Sequence, residues 1–254
     1  MKHYFTILSH ELRMLLVSAS TYITAVLFLA LMGYLFVILI EMYTKSAQDT
    51  PPAAVYFQLF WLPVWFMVPL LTMRCLSEER RLGTLETLLT APVTTAEVVL
   101  AKFSAAYLLY LALWLSTGGF FLILHRFADD AQFLDSGPLL GGFVFIAVSG
   151  LMFVAIGVFA SSLSGNQAVA AIISFVLIGL FVFGPWLALN KIAFLNLESM
   201  QGTRAALDYL QVFHHLDDFT RGILDTREML IYLSGTTLAL IFSVFSVEAK
   251  LLHS

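Results

Sequence analysis

The chain has 254 residues, of which 60% are hydrophobic and 12% charged, and 13 basic against 17 acidic residues give a formal net charge of −4. Soluble domains carry about 25% charged residues, so 12% is too few to cover the apolar surface of a water-soluble fold, and we predict a membrane protein. The same counts exclude a disordered chain, a nucleic-acid-binding protein and, because Cys75 is the only cysteine, a disulfide scaffold.

The first predicted element is an amphipathic helix over residues 1–20. Phe5 and a series of leucines recur at helical spacing on one face, whereas Thr6, His10 and Arg13 lie opposite. This pattern is typical of a helix that lies in the membrane interface. A signal peptide would instead show a short apolar core followed by a small-residue cleavage site.

Stretches without Asp, Glu, Lys or Arg predict the membrane crossings, because a spanning helix needs about 20 apolar residues. The uncharged run 136–190 is too long for one crossing, so we divide it at the polar turn 161–167. The runs are apolar on every side, unlike the alternating strands of a barrel. We predict an all-α membrane protein of one domain, 1–254, with six spans: 21–41, 54–73, 103–125, 139–160, 168–189 and 229–247.

Basic residues predict the orientation. With six spans both termini lie on one side, and the segments on that side carry seven basic residues against six on the other side. Four of those six lie in one long loop, so the short loops of the other side carry only Lys45 and Arg126. Because short cytoplasmic loops are enriched in Lys and Arg, we predict that both termini are cytoplasmic. The longest connection on the outer side is then the loop 190–228.

Among the predicted connections, the inner connection 74–102 contains the most helix-capping signals. Ser77 is a predicted cap of a short helix with Glu78 in its first turn, and Gly83 allows a left-handed stop. Thr84 caps a second short helix with exposed leucines, Pro92 ends it, and Thr94–Glu97 form a capping box for the third span. Two interpretations stay open on the pattern alone: a docking surface for a cytosolic protein, or an ordinary loop that covers the inner end of the bundle.

Three segments of the chain carry a family resemblance. Residues 79–93, Glu-Arg-Arg-Leu-Gly-Thr-Leu-Glu-Thr-Leu-Leu-Thr-Ala-Pro-Val, resemble the E-(R/K)-x-x-G-T-L-E-x-L-L-x-x-P-(V/I) signature of ABC-2-type transporter permeases. Residues 155–167 and 221–228 are similar to the gliding-motility (GldF-like) branch of that family. Branches that serve copper-enzyme maturation and general export share much of this pattern.

The resemblance implies a six-span subunit of the bacterial inner membrane that forms a homodimer, or a heterodimer with a second permease. It also implies two copies of a separate ABC ATPase on the cytoplasmic side, which hold the ATP and Mg²⁺, so that no cofactor is bound by this chain. In the family the connection between spans two and three contains the coupling helix, which docks on the ATPase. The coupling positions implied here are Glu79, Arg80, Gly83, Thr84, Leu85, Glu86, Leu88, Leu89 and Pro92.

The predicted function is therefore the permease subunit of an ATP-driven exporter, without a catalytic residue of its own. None of the five lysines follows a glycine, so the chain has no phosphate-binding loop. The absence of Asp, Glu, Lys and Arg from the spans disfavours an ion-coupled transporter and an intramembrane enzyme. The alternative is a membrane anchor that passes ATPase motion to an outer machine, as in gliding motility, without a transported substrate.

Further features of the sequence concern packing and the outer loop. Gly150 and Gly157 lie on one face of span four and predict close helix approach, and Pro63 is one of three prolines that predict bends. One cluster of metal-ligand side chains lies in the outer loop: His214, His215, Asp217 and Asp218. It is either a metal site or, as we favour, a solvated segment whose apolar residues pack down on the bundle.

Overall fold

The computed structural model describes residues 2–45, 50–83, 93–127, 136–191 and 201–251, and within these ranges the chain is helical with no strand. The helices are α1 (Lys2–Val17), α2 (Ala19–Lys45), α3 (Pro52–Gln58), α4 (Trp61–Thr72), α5 (Ser77–Leu82), α6 (Thr95–Phe127), α7 (Ser136–Leu163), α8 (Gln167–Lys191), α9 (Gln201–Tyr209), α10 (Val212–Thr220) and α11 (Thr226–Leu251).

Five of these helices are long and apolar enough to cross a membrane, namely α2, α6, α7, α8 and α11. A sixth crossing results if α3 and the segment from Trp61 onward are counted together as one bent span. Charged side chains lie on helical turns outside the uncharged runs, for example in α5 and in the first two turns of α6. The predicted all-helical, multi-pass architecture is confirmed.

The predicted span 54–73 is bent, as its prolines predict, and the chain turns by 49° between α3 and α4. Proline has no amide hydrogen, so Pro63 cannot donate to the carbonyl of Leu59 as a helix requires. That carbonyl accepts instead from the amide of Leu62 at 3.2 Å, one residue earlier. The bend therefore lies at residues 59–60, immediately before the proline.

Helix α7 lies at the centre of the bundle and contacts α3, α4, α6, α8, α10 and α11. The predicted close approach at its glycines is confirmed. A Cβ atom on Gly150 would lie 2.2 Å from the Tyr110 ring, and one on Gly157 would lie 2.3 Å from the Thr72 hydroxyl. Gly142 and Gly141 meet Phe57 and the backbone of Phe219 in the same way. The absence of side chains at these positions lets α3, α4, α6 and α10 contact α7 directly.

The N-terminal segment forms α1, which ends at Val17, and α2 starts after a break at Ser18. Helix α1 packs along α6. Apolar side chains on the remaining surface of α1 stay exposed, with Phe5 at 64% and Leu16 at 55%. That α1 lies in the membrane interface stays a prediction.

The polar turn that divides the long uncharged run is also present, at residues 164–166 between α7 and α8. The Asn166 side chain caps α8 by accepting from the amide of Ala168 at 2.9 Å. The predicted outer loop 190–228 contains two short helices, α9 and α10. Asp225 caps α11 by accepting from the amide of Arg227 at 2.8 Å, while Glu228 is buried.

Candidate functional site

The N-terminus of the short helix α5 is capped by the hydroxyl of a serine in a helix that is distant in the chain. Ser161, near the end of α7, accepts hydrogen bonds from the amides of Leu76 and Ser77 at 3.0 and 3.1 Å, and donates to the carbonyl of Met73 at 3.2 Å. Ser77 is not the cap that the sequence predicts, because its hydroxyl donates back to the Met73 carbonyl instead. The amide groups at the start of α5 are thus satisfied by tertiary structure.

Ser161→Ala tests this cap. The change leaves two buried amides without their acceptor, and an unsatisfied buried donor costs about 1–3 kcal/mol. We expect thermal unfolding of the purified protein to show a loss of about that size. The control is Ser162→Ala, whose hydroxyl donates only to the Phe159 carbonyl within the same helix, and which should cost less than about 1 kcal/mol. Equal losses in the two variants would refute the role of Ser161.

Two local predictions for this segment are confirmed. Gly83 ends α5 in the left-handed region with φ of +67°, and its amide donates to the Arg80 carbonyl at 3.3 Å. At the start of α6, the amide of Glu97 donates to the Thr94 hydroxyl, while a Glu97 carboxylate oxygen accepts from the Thr94 amide, both at 3.2 Å. This reciprocal pair is the predicted capping box.

A buried group of three charges joins α1, α5 and α6. The Lys102 ammonium lies 2.7 Å from a carboxylate oxygen of Glu11 and 2.8 Å from one of Glu79. The Lys102 side chain is 4% exposed, and those of Glu11 and Glu79 are 18% and 23% exposed. Two carboxylates face one ammonium, so the group holds one negative charge in excess.

Burial and the neighbouring charges shift the pKa values of this group in opposite directions. Burial alone would lower the pKa of Lys102, but the two carboxylates together outweigh it and hold that pKa above its ordinary value. Burial raises the pKa of Glu79 more than the nearby ammonium lowers it. Cys75 lies against the same group, and burial raises the pKa of its thiol to about 12. At neutral pH the lysine is therefore charged and the cysteine is an unreactive thiol.

Arg80 extends from α5 toward the turn between α7 and α8. A Cβ atom on Gly165 would lie 3.5 Å from the Arg80 side-chain carbons, so the aliphatic part of Arg80 packs on that turn. Its two terminal guanidinium nitrogens are buried and find no hydrogen-bond partner among the residues that the structure describes. Burial lowers the pKa of Arg80, which still leaves it charged at neutral pH.

The outer cluster is built differently from a metal site. His215 is buried, and its Nε2 atom donates to the Tyr209 carbonyl at 2.8 Å, since a carbonyl can only accept. Its Nδ1 atom then accepts from the Tyr232 hydroxyl at 2.9 Å, and burial lowers its pKa, which favours this neutral ring. Asp217 accepts from the Gln58 amide at 3.1 Å, and His214 is exposed. Within the described ranges no three such side chains could hold a metal ion.

Apolar residues of this segment pack on the bundle as in the interpretation that we favoured, although His215 itself is buried and not solvated. Leu216 is fully buried and Phe213 half-buried, and α10 lies against α7 and α3. Both ring nitrogens of His215 serve to hold α10 and the end of α9 against α11. His215 is thus a structural contact between α9, α10 and α11.

A family model described as ABC-2 family transporter protein matches residues 5–247, almost the whole chain. The chain belongs to the ABC-2 family of transporters. It is thus a multi-pass membrane subunit of the permease type, from a family whose permeases work with an ABC ATPase and are not themselves catalytic. A search of curated proteins finds no match to it.

In this ABC-2 permease the structure describes three of the nine predicted coupling positions. Glu79 lies in the buried charge group, Arg80 packs on the α7–α8 turn, and Gly83 ends α5. The other six, Thr84, Leu85, Glu86, Leu88, Leu89 and Pro92, lie outside the described residues. Sequence reasoning missed Glu11, Lys102 and Ser161. Lys102 and Ser161 lie at boundaries of apolar runs, and Glu11 is one of the polar residues of the predicted amphipathic helix.

Proposed function

We propose that this chain is the permease subunit of an ABC exporter in a bacterial inner membrane, with both termini in the cytoplasm. Two permease chains, identical or paralogous, work with two copies of an ATPase that binds ATP and Mg²⁺. Energy from hydrolysis enters through residues 77–92, and this chain converts it into movement of its helices. The transporter family supports export over a purely mechanical anchor.

The observation that carries this proposal is the position of α5 among the neighbouring helices. Lys102 ties α5 to α1 and α6 through two ion pairs, and Ser161 ties the start of α5 to α7. A displacement of α5 would therefore move the ends of three other helices. A segment that only closed off the end of the bundle would not need a largely buried group of charges shared by three helices, since burying charge is costly.

The coupling residues are assigned by motif and supported by chemistry. We propose that Leu85, Leu88 and Leu89 fill an apolar groove of the ATPase, while Glu86 and Arg80 fix the docking register by charge. For Arg80 the assignment rests on the motif alone, since its terminal guanidinium nitrogens are buried. The gliding-motility branch is likewise a proposal, which rests on segments 155–167 and 221–228.

Purification of the tagged chain from its native membranes tests the function. We expect an ATPase with a phosphate-binding loop to co-purify, and Glu86→Lys to reduce its recovery at least tenfold, because reversing a charge in a docking surface places like charges together. Glu41→Lys, at an exposed position at the opposite end of α2 from the proposed cytoplasmic side, is the matched control and should retain the ATPase. Recovery of no such ATPase with the wild-type chain would refute the proposal.

A further inference from the structure

An apolar groove runs between α2 and α4 on the surface of the bundle, with a volume of about 360 Å³. Eight of its nine lining residues are apolar, among them Leu27, Leu31, Phe66 and Leu70. The ninth is Thr24, whose hydroxyl already donates to the Ser20 carbonyl at 2.9 Å. With its one polar donor engaged, the groove is suited to a hydrocarbon ligand.

Both walls of the groove belong to membrane-spanning segments, so the groove opens toward the interior of the membrane. Its rim is open, since Leu27 is 56% exposed and Phe66 is 53% exposed. A partner helix of about 10 Å diameter occupies roughly 400 Å³ per turn, so the groove holds less than one turn of helix. A single acyl chain is narrower and flexible, and fits such a groove lengthwise.

A cation lies beyond one end of the groove. The helical turn of α4 continues to Met73, whose amide donates to the Pro69 carbonyl at 2.9 Å, so Arg74 lies about one turn past Leu70. The Arg74 Nη1 atom donates to the Ser18 hydroxyl at 3.3 Å, at the break between α1 and α2. Its Nε atom is buried and has no hydrogen-bond partner among the described residues, none of which pairs a carboxylate with it.

We propose that this groove binds a membrane phospholipid, with one acyl chain between α2 and α4 and its phosphate on Arg74 and Ser18. The site matches this ligand in two respects. A guanidinium is suited to bind phosphate through paired hydrogen bonds, and it adjoins a groove that accepts only hydrocarbon. A phospholipid joins these two chemical groups in one molecule. The proposal does not depend on the coupling role of α5.

Native mass spectrometry of the detergent-purified chain, titrated with dioleoyl phosphatidylglycerol, tests the head-group contact. We expect one tightly retained lipid. Arg74→Gln should weaken its binding roughly tenfold or more, because it removes a charge-assisted bond. Arg74→Lys should keep most of the affinity. Arg81→Gln, which removes an exposed arginine of α5, is the matched control and should bind like the wild type.

A second pair of variants tests the groove. Leu70→Trp fills it and should weaken lipid binding about as much as Arg74→Gln, whereas Leu108→Trp, on an exposed face of α6, should not. Inorganic phosphate should compete only weakly with the lipid. Unchanged lipid binding in both Arg74→Gln and Leu70→Trp would overturn the proposal. Strong competition by phosphate together with no effect of Leu70→Trp would also overturn it, in favour of a site for free phosphate. If Arg74→Gln fails to fold, Leu70→Trp and Arg74→Lys decide the outcome.

Discussion

Lys102→Met is expected to be the most damaging single substitution at the proposed cytoplasmic end of the bundle. It leaves the carboxylates of Glu11 and Glu79 facing each other in a buried position without their shared cation. Removing one partner of a buried ion pair typically costs about 3–5 kcal/mol. We expect a loss of stability of that order in thermal unfolding, and loss of ATPase stimulation in complexes reconstituted with the partner ATPase.

A variant in which all three side chains are neutral separates the cost of an unpaired charge from the other effects of replacing Lys102. The triple variant Glu11→Gln, Glu79→Gln, Lys102→Met removes all three charges while keeping side chains of similar size. Because neutral groups cost less to bury than an unpaired charge, this variant should regain most of the stability that Lys102→Met loses. If Lys102→Met unfolds at the same temperature as the wild type, the group does not hold α1, α5 and α6 together.

Gly141→Ala is expected to have the second-largest effect, at the outer end of the bundle. A Cβ atom at this position would lie 2.0 Å from the backbone oxygen of Phe219 in α10. A flexible side chain could turn away from the added methyl group, but a backbone oxygen inside a helix cannot. Overpacking of this kind costs about 1–3 kcal/mol, and we expect a loss at the upper end of that range in thermal unfolding.

The matched control for this prediction is Gly119→Ala in α6, where an added Cβ meets nothing within 4 Å. Alanine favours a helix over glycine by about 0.8–1.0 kcal/mol, so this variant should be neutral or slightly more stable. The contrast between the two substitutions isolates the helix contact from helix propensity. Similar stability of the two variants would show that α10 does not rest on α7 as described.

Several features of the fold could be predicted because they depend on neighbouring residues only. The uncharged runs predict the crossings, since a helix in lipid must be about 20 apolar residues long. Gly83 ends α5 and the Thr94–Glu97 pair starts α6, because left-handed backbone and capping boxes are encoded within four residues. The Gly150 and Gly157 contacts were predicted from their shared face, although not which helices they meet.

Other predictions concerned residues whose partners lie far away in the chain. Serine is a residue type that often caps helices, and Ser77 lies at the start of α5. The acceptor for its amide is nevertheless the hydroxyl of Ser161, 84 residues later. The outer cluster has the side chains of a metal site, but Tyr209 and Tyr232 occupy both nitrogens of His215. The residues of a local segment show which polar groups need hydrogen-bond partners. They do not show which residues from elsewhere in the chain supply those partners.

That this chain is an all-helical membrane protein follows from the sequence alone, because the length and apolar character of each crossing depend on contiguous residues. The signature in residues 79–93 likewise indicates the transporter family. The folded structure alone shows that Lys102 pairs with Glu11, 91 residues away, and with Glu79. It also placed Arg74 beyond the end of an apolar groove. The pairing of charges across such separations depends on how the helices pack, and that packing is set by contacts among all of them at once.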